Sequence, residues 1–342
     1  MDQARRWRGP LGAAAALLTA LLAPLGASAQ MYGPRQFLPA PAGTSVLTVS
    51  SFYTQSNTIV DTNIVFPQLN VDTVVVAPSL SHFFSVGGQL AQATLAVPYV
   101  WANVALSESR SGLEVSPARE GFADSYAHLT VGMINAPALD PRAFAGFMAS
   151  HNPRVVGFGL LGTYVPTGAY DTQRAVNIGT NRWTLRAGVP LTVRLSDTWA
   201  PGRTSTLEVL PSIDVFTPNN DPANPSFDFQ IRGRNVGRAL SRRLPDLYQT
   251  TQDPLAALEL HLTHDLNRQL WVSLDSYSKL GGETYADGDA NSNQQLWTAL
   301  GGTLGGSPWS GARLAMTGGG VIGRNDNSPN GWLVRLQFQQ AW

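Results

Sequence analysis

Arg182-Trp183-Thr184-Leu185-Arg186-Ala187-Gly188-Val189-Pro190-Leu191-Thr192-Val193-Arg194-Leu195-Ser196 sorts its side chains into two files. Trp183, Leu185, Ala187, Val189, Leu191, Val193 and Leu195 form one file, and Arg182, Thr184, Arg186, Gly188, Pro190, Thr192, Arg194 and Ser196 form the other. A period of two is that of a strand, whose successive side chains point to opposite faces; a helix would mix the files. The same sorting recurs elsewhere. Ala256, Leu258, Leu260 and Leu262 alternate with Glu259, His261 and Thr263. Ala91, Ala93, Leu95, Val97, Tyr99 and Trp101 alternate with Gln92, Thr94, Ala96 and Pro98. Trp332, Val334, Leu336, Phe338 and Trp342 alternate with Arg335, Gln337 and Gln339.

Working outward, glycine and proline clusters cut the chain into twelve such segments, near 44–55, 71–85, 89–104, 122–133, 154–166, 181–196, 204–217, 254–265, 269–281, 291–304, 309–320 and 331–342. Their connections alternate in character. Those near 56–70, 105–121, 167–180, 218–253, 282–290 and 321–330 are mostly long and polar, whereas those near 86–88, 197–203, 266–268 and 305–308 are short. The exception is 134–153, where Ala138–Ser150 lacks alternation and is expected to hold a short helix at the rim. An even number of strands, with long loops at one end and tight turns at the other, predicts an all-β, up-and-down antiparallel transmembrane barrel of about twelve strands in the outer membrane of a Gram-negative bacterium.

Composition fits this reading. Only 13% of the 342 residues are charged, about half the roughly 25% of ordinary globular proteins, while 43% are hydrophobic and the mean hydropathy is −0.06. A strand facing lipid on one side and a lumen on the other is half apolar, so its average stays near zero. Arg or Lys at mid-depth on the lipid face costs about 2–4 kcal/mol, which confines charge to the loops and the lumen. Twenty-three basic and 23 acidic residues cancel, so there is no basic excess to bind nucleic acid. Beyond the first 30 residues no apolar run is long enough for a membrane helix. Lys279 is the single lysine against 22 arginines, which reads as codon preference rather than as a special amine.

Residues 1–29 read as a cleaved signal peptide: Arg5, Arg6 and Arg8, an apolar core from Leu11 to Leu25, and the site Ala27-Ser28-Ala29. Its removal leaves 20 basic and 22 acidic residues. Residues 30–43 are expected to form an N-terminal periplasmic segment, and 44–342 the barrel. With no cysteine, an exported chain relies on no disulfide. A soluble β-sandwich would also alternate. Against it stand the sustained apolar faces and the aromatics near strand ends, Tyr53, Tyr99, Trp101, Tyr164, Trp183, Trp332 and Trp342, placed as interfacial girdles are. The terminal file Leu336, Phe338 and Trp342 is similar to the signal read by the barrel-assembly machinery, although Gln340 occupies an apolar place in it.

Three segments carry a resemblance to a known family: Phe37-Leu38-Pro39-Ala40-Pro41-Ala42-Gly43-Thr44, Asn135-Ala136-Pro137-Ala138-Leu139 and Asn177-Ile178-Gly179-Thr180-Asn181-Arg182-Trp183. The chain resembles the MetA-pathway of phenol degradation family over nearly all of its mature length. Arg186 stands where that family has Lys, and the acid that follows there is absent. The resemblance implies an outer-membrane barrel that acts as a transporter, and it alone suggests aromatic or other small organic solutes.

On the barrel reading the polar files point inward. Arg182, Arg186 and Arg194, then Glu208 and Asp214, then Glu259 and His261, then Asp275, Tyr277 and Lys279, with Arg313 and Arg335 further round, put opposite charges on neighbouring strands. Such a lumen either filters solutes by field and size or is held together by its ion pairs. Three functional classes are in view. The first is a passive channel whose partners are a small solute, outer-membrane lipids and lipopolysaccharide, with no cofactor. The second is a structural or surface-receptor barrel with a plugged lumen, in which Arg232, Arg234, Arg238, Arg242 and Arg243 of the 218–253 connection contact lipopolysaccharide or fold inward. The third is a hydrolase. His261 beside Glu259 is its one candidate pair, since His82, His128, His151 and His264 lie in no H-E-x-x-H and no nucleophile elbow is present. Asp287-Gly288-Asp289-Ala290-Asn291 lacks the closing Glu of an EF-hand, so no metal site is expected.

Overall fold

The computed structural model describes residues 32–57, 69–106, 113–115, 118–174, 177–223, 229–231, 234–235 and 247–342. The signal-peptide reading of 1–29 lies outside them, as do Arg232, Arg238, Arg242 and Arg243 and the side chain of Arg234.

Twelve strands form the wall, each antiparallel to both neighbours: β1 (Ser45–Ser56), β2 (Leu69–Val86), β3 (Gln89–Ala96 and Tyr99–Leu106), β4 (Ala118–Phe122 and Ser125–Ile134), then helix α1 (Pro141–Ser150), β5 (Val155–Val165), β6 (Thr184–Gly188 and Leu191–Arg194), β7 (Ser205–Phe216), β8 (Leu255–Asp265), β9 (Leu270–Gly281), β10 (Gln295–Gly306), β11 (Ala312–Arg324) and β12 (Gly331–Ala341). Proline interrupts β3 at Pro98 and β6 at Pro190, because it has no N–H to give the ladder. The sheet closes where β12 pairs with β1, from Val46 opposite Ala341 to Ser56 opposite Gly331. Closure matters in lipid, where an open edge finds no partner.

The outer face is apolar, as Leu80, Leu161, Leu185, Leu274, Leu280 and Leu336 show, all more than half exposed. Two aromatic girdles bound this band. At the long-loop end Tyr53 packs on Trp332 with centroids 5.1 Å apart, and Tyr99 on Trp101 and Phe122 at 4.6 and 5.1 Å. At the short-turn end stand Trp309, Phe338 and Trp342. Gln340 is matched there, because its Oε1 accepts from Trp309 Nε1 at 2.9 Å. Tyr164 corrects the girdle expectation: it turns inward and packs on Tyr126 at 4.6 Å. No helix among the described residues is long and apolar enough to cross a membrane.

The connection 134–153 does hold a helix. Asp140 caps α1, its Oδ1 accepting from Arg142 N and Ala143 N at 2.8 and 3.0 Å, and Pro141 occupies the first turn. At the other end Thr250–Gln252 pairs with Thr284–Ala286, which lengthens the wall beyond the membrane band.

Candidate functional site

The inner face has three sectors. The first is charged. Arg186 on β6 sits opposite Asp214 on β7, and its Nε and Nη2 donate to Oδ1 and Oδ2, each at 2.6 Å. Both residues are buried, so this two-pronged pair satisfies charges that water cannot reach. His261 on β8 donates from Nδ1 to Asp275 Oδ1 at 2.8 Å. Asp275 also accepts from Ser273 at 2.5 Å and from Thr303 at 2.6 Å. Glu259 lies 3.8 Å from His261 Nε2. Lys279 is buried with its Nζ 5.8 Å from the Tyr277 ring.

The second sector is neutral. Thr48 and Ser50 on β1 meet Gln339 and Gln337 on β12, with the amides donating at 3.3 and 3.2 Å. Thr303 and Thr317 continue it on β10 and β11 at 2.8 Å. The third sector is apolar, which the alternation did not reveal. Val156, Phe158 and Leu160 of β5 point inward with Phe83 and Leu210.

What they pack against is the N-terminal segment, and here the structure departs from the expectation of a periplasmic position for residues 30–43. Residues 32–37 run inside the barrel, and Ala42 and Gly43 bond Leu139 and Phe83 at the short-turn end. Tyr32 and Phe37 are buried against Tyr126, Leu160 and Leu210. The Tyr32 hydroxyl bonds that of Tyr126, and its ring meets His128 edge-on at 5.7 Å. The Tyr32 carbonyl accepts from Arg335 Nη1 at 3.0 Å. Gly33 leaves room for this contact: a Cβ there would lie 2.3 Å from Arg335 Nη2, so the guanidinium would have to shift. Arg35 then turns the chain at φ 65°, a left-handed conformation that costs an ordinary residue of order 1–3 kcal/mol. The barrel compensates. Arg35 N donates to Glu208 Oε2 at 2.7 Å, its Nη2 pairs with Asp265 Oδ1 at 2.6 Å, and its guanidinium covers the Trp271 ring at 4.6 Å. The segment thus touches β4, β5, β7, β8, β9 and β12, and it fills the middle of the lumen.

Between this segment and the short-turn mouth lies a cavity of about 610 Å³, with walls that include Thr48, Phe83, Trp199, Trp271 and Arg313.

The sequence-derived lumen residues therefore divide. Arg186, Asp214, Glu259, His261, Asp275 and Lys279 form one buried cluster, with Glu208 and Arg335 joining it to the N-terminal segment. Arg182 sits at the long-loop end, donating to Gln252 at 2.5 Å with its guanidinium 4.4 Å from the Phe216 ring. Arg194 sits at the opposite end, donating to the carbonyls of Ser196 and Asn152, so it lies apart from the cluster. Arg313 faces the cavity. Leu336 and Trp342 face outward, and the Trp342 backbone exchanges two 3.0 Å bonds with Ser45.

The segment Gly179-Thr180-Asn181-Arg182-Trp183 has a local explanation. Gly179 lies against the Gly168 backbone, where a Cβ would come within 2.7 Å. Thr180 donates from N and Oγ1 to Asp124 at 3.0 and 2.6 Å. Asn181 takes the left-handed position at φ 54° and donates to Asn219 at 2.9 Å. Arg182 points in and Trp183 out, so the motif turns one long loop into β6. Beside it, burial raises the pKa of the Tyr170 hydroxyl, which donates to the Asp221 carbonyl at 3.0 Å.

This geometry defines a membrane-spanning β-barrel of outer-membrane type with its own chain threaded into the lumen. The family model described as "Putative MetA-pathway of phenol degradation" matches residues 50–333, and the chain belongs to that family. Among solved structures, the COG4313 outer membrane channel from Pseudomonas putida F1 is similar at 13% identity, with a TM-score of 0.66, covering 91% of this chain and 100% of that one. The β domain of the Bordetella autotransporter BrkA is 10% identical, with a TM-score of 0.43 and coverage of 86% and 98%. The translocator domain of NalP from Neisseria meningitidis is 10% identical, with a TM-score of 0.44 and coverage of 88% and 89%. Curated proteins give no match.

Proposed function

We propose that the protein is an outer-membrane channel through which small organic solutes diffuse passively, exported by residues 1–29 acting as a cleaved signal. The observation that carries this reading is the composition of the block. The centre of the lumen is filled by Tyr32–Phe37, which is a terminal segment and not part of the wall. Below it stands a cavity of about 610 Å³, several times the roughly 150 Å³ that holds one benzene. A barrel built only to be filled could use wall side chains throughout; this one uses a stretch of chain separate from the wall. The description of the Pseudomonas putida F1 protein as a channel supports the reading, as does membership of the family. Diffusion needs no covalent step, and no cofactor enters it. Arg186, Asp214, Glu259, His261 and Asp275 shape the field inside the lumen, and Arg182 the approach from the long-loop end. Outer-membrane lipid contacts the apolar band, and Leu336, Phe338 and Trp342 present the terminal strand to the assembly machinery.

The test is swelling of liposomes that contain the purified protein. Uptake of small organic solutes above the rate of protein-free liposomes is expected. Absence of uptake, both for the full chain and for a chain lacking residues 32–37, would leave the second reading, a structural or receptor barrel. The buried Arg186–Asp214 pair favours that reading, because it fills space as a structural contact does.

A further inference from the structure

We infer that the cavity at the short-turn mouth is a binding site for a small organic carboxylate with an apolar body. This deepens the channel reading and rests on it. The ionisable residues lining the cavity are Arg35, Arg268, Arg313 and Asp265. The one carboxylate is already engaged: Asp265 Oδ1 takes Arg35 at 2.6 Å, and Oδ2 takes the backbone N–H groups of Gly202 and Thr204 at 2.8 and 3.2 Å. Glu208, just behind the wall, is engaged too, by Arg35 N at 2.7 Å and Thr206 Oγ1 at 3.3 Å.

The cations differ from one another. Arg35 is fixed, with its charge matched by Asp265 and its plane held over Trp271. Trp271 in turn lies flat on Gly305, where even a Cβ would come within 2.1 Å of the ring. Arg268 and Arg313 are exposed, and neither makes a hydrogen bond or ion pair among the described residues. Arg313 is opposite Gln339, and Gln339 is opposite Thr48, so its side chain shares the inner face with the neutral sector. The cavity therefore offers two guanidiniums that no carboxylate contacts directly, Arg313 feeling Glu208 and Asp265 only at a distance, and no free carboxylate.

Charge alone would suit any anion. The rest of the wall narrows the class. Leu38, Pro39 and Pro41 of the threaded segment face Phe83 and Trp199 across the same space. A carboxylate oxygen pair fits the donor fork of Arg313, and the apolar body then covers these side chains. A phosphate or chloride would satisfy the guanidiniums and leave the apolar wall wet. Arg268 is exposed and its attraction is screened, while Arg313 inside the lumen is already drawn by Glu208 and Asp265, so the site holds its ligand weakly enough to release it, as passage requires.

The experiment is calorimetric titration of the full-length protein in detergent with four probes: benzoate, benzyl alcohol, acetate and inorganic phosphate. Benzoate should bind about fivefold more tightly than each of the others. Its affinity should fall as salt rises, while that of benzyl alcohol should not. Arg313→Gln should reduce benzoate to the level of benzyl alcohol, and Arg313→Lys should recover part of the loss. Equal affinity for benzyl alcohol, or a benzoate affinity indifferent to salt, overturns the cationic site without recourse to a variant. Phosphate or acetate binding as tightly as benzoate overturns the apolar part. Selective benzoate binding without benzoate entry into liposomes keeps the site and removes the channel reading.

Discussion

The charged sector of the lumen and the neutral sector facing it are built on the same strand geometry and do opposite things. On β6–β9 ion pairs lock the strongest charges together, Arg186 to Asp214 at 2.6 Å and His261 to Asp275 at 2.8 Å, while the side chains of Glu259 and Ser212 make no hydrogen bond among the described residues. On β1 and β12 the Thr48–Gln339 and Ser50–Gln337 bonds are longer, at 3.3 and 3.2 Å, and join neutral groups whose loss leaves no charge uncompensated. A buried ion differs, since solvent is absent and its partner is the only compensation. The comparison teaches that inward polarity alone does not define a pore. The charged side is braced by its ion pairs and sets the field, and the neutral side reaches the cavity through Thr48 and Gln339.

The sharpest way to break this contrast is Asp214→Ala. It leaves the Arg186 guanidinium buried without its carboxylate and should cost about 3–5 kcal/mol, read as a lowered unfolding midpoint in micelles. The paired replacement Arg186→Met with Asp214→Leu should recover most of that loss, because it removes both charges together. Next comes the outer face behind the charged sector. Leu274→Arg places a cation in the lipid band and should cost about 2–4 kcal/mol by the same measurement. At the join between the sectors, Gly33→Val forces a side chain onto Arg335 and should displace Tyr32, raising ion conductance while the wall remains closed. The smallest effect belongs to the neutral sector. Ser50→Ala removes one long hydrogen bond and should change stability by no more than about 0.5 kcal/mol.

The contrast between sectors also marks what could be seen in the sequence. The wall was legible because lipid imposes a period of two on every strand, and Arg182–Ser196 shows that period with no exception. The connection lengths separated a long-loop end from a short-turn end, and loss of alternation located the helix between 134 and 153. The threaded segment was not legible in the same way. Tyr32, Gly33, Arg35 and Phe37 precede the first strand, have no period and sit next to a proline-containing stretch that reads as a linker. A trace of it existed: Val156, Phe158 and Leu160 put apolar groups on a face that should have been polar, which makes sense only if something apolar lies against them. Tyr164 was misplaced for the same reason, since aromatic character marks both an interface and a packed interior. Register was beyond reach as well, so the sequence could place Arg186 and Asp214 on neighbouring strands but not opposite each other.

The central claim is that the terminal segment, and not the wall, closes the lumen. Single-channel conductance in planar bilayers tests it most directly, comparing the full chain with a chain lacking residues 32–37. A clear rise in conductance on removal, with the folded barrel retained, is the predicted result. Equal conductance in the two proteins would contradict the claim and return the closure to the charged wall itself.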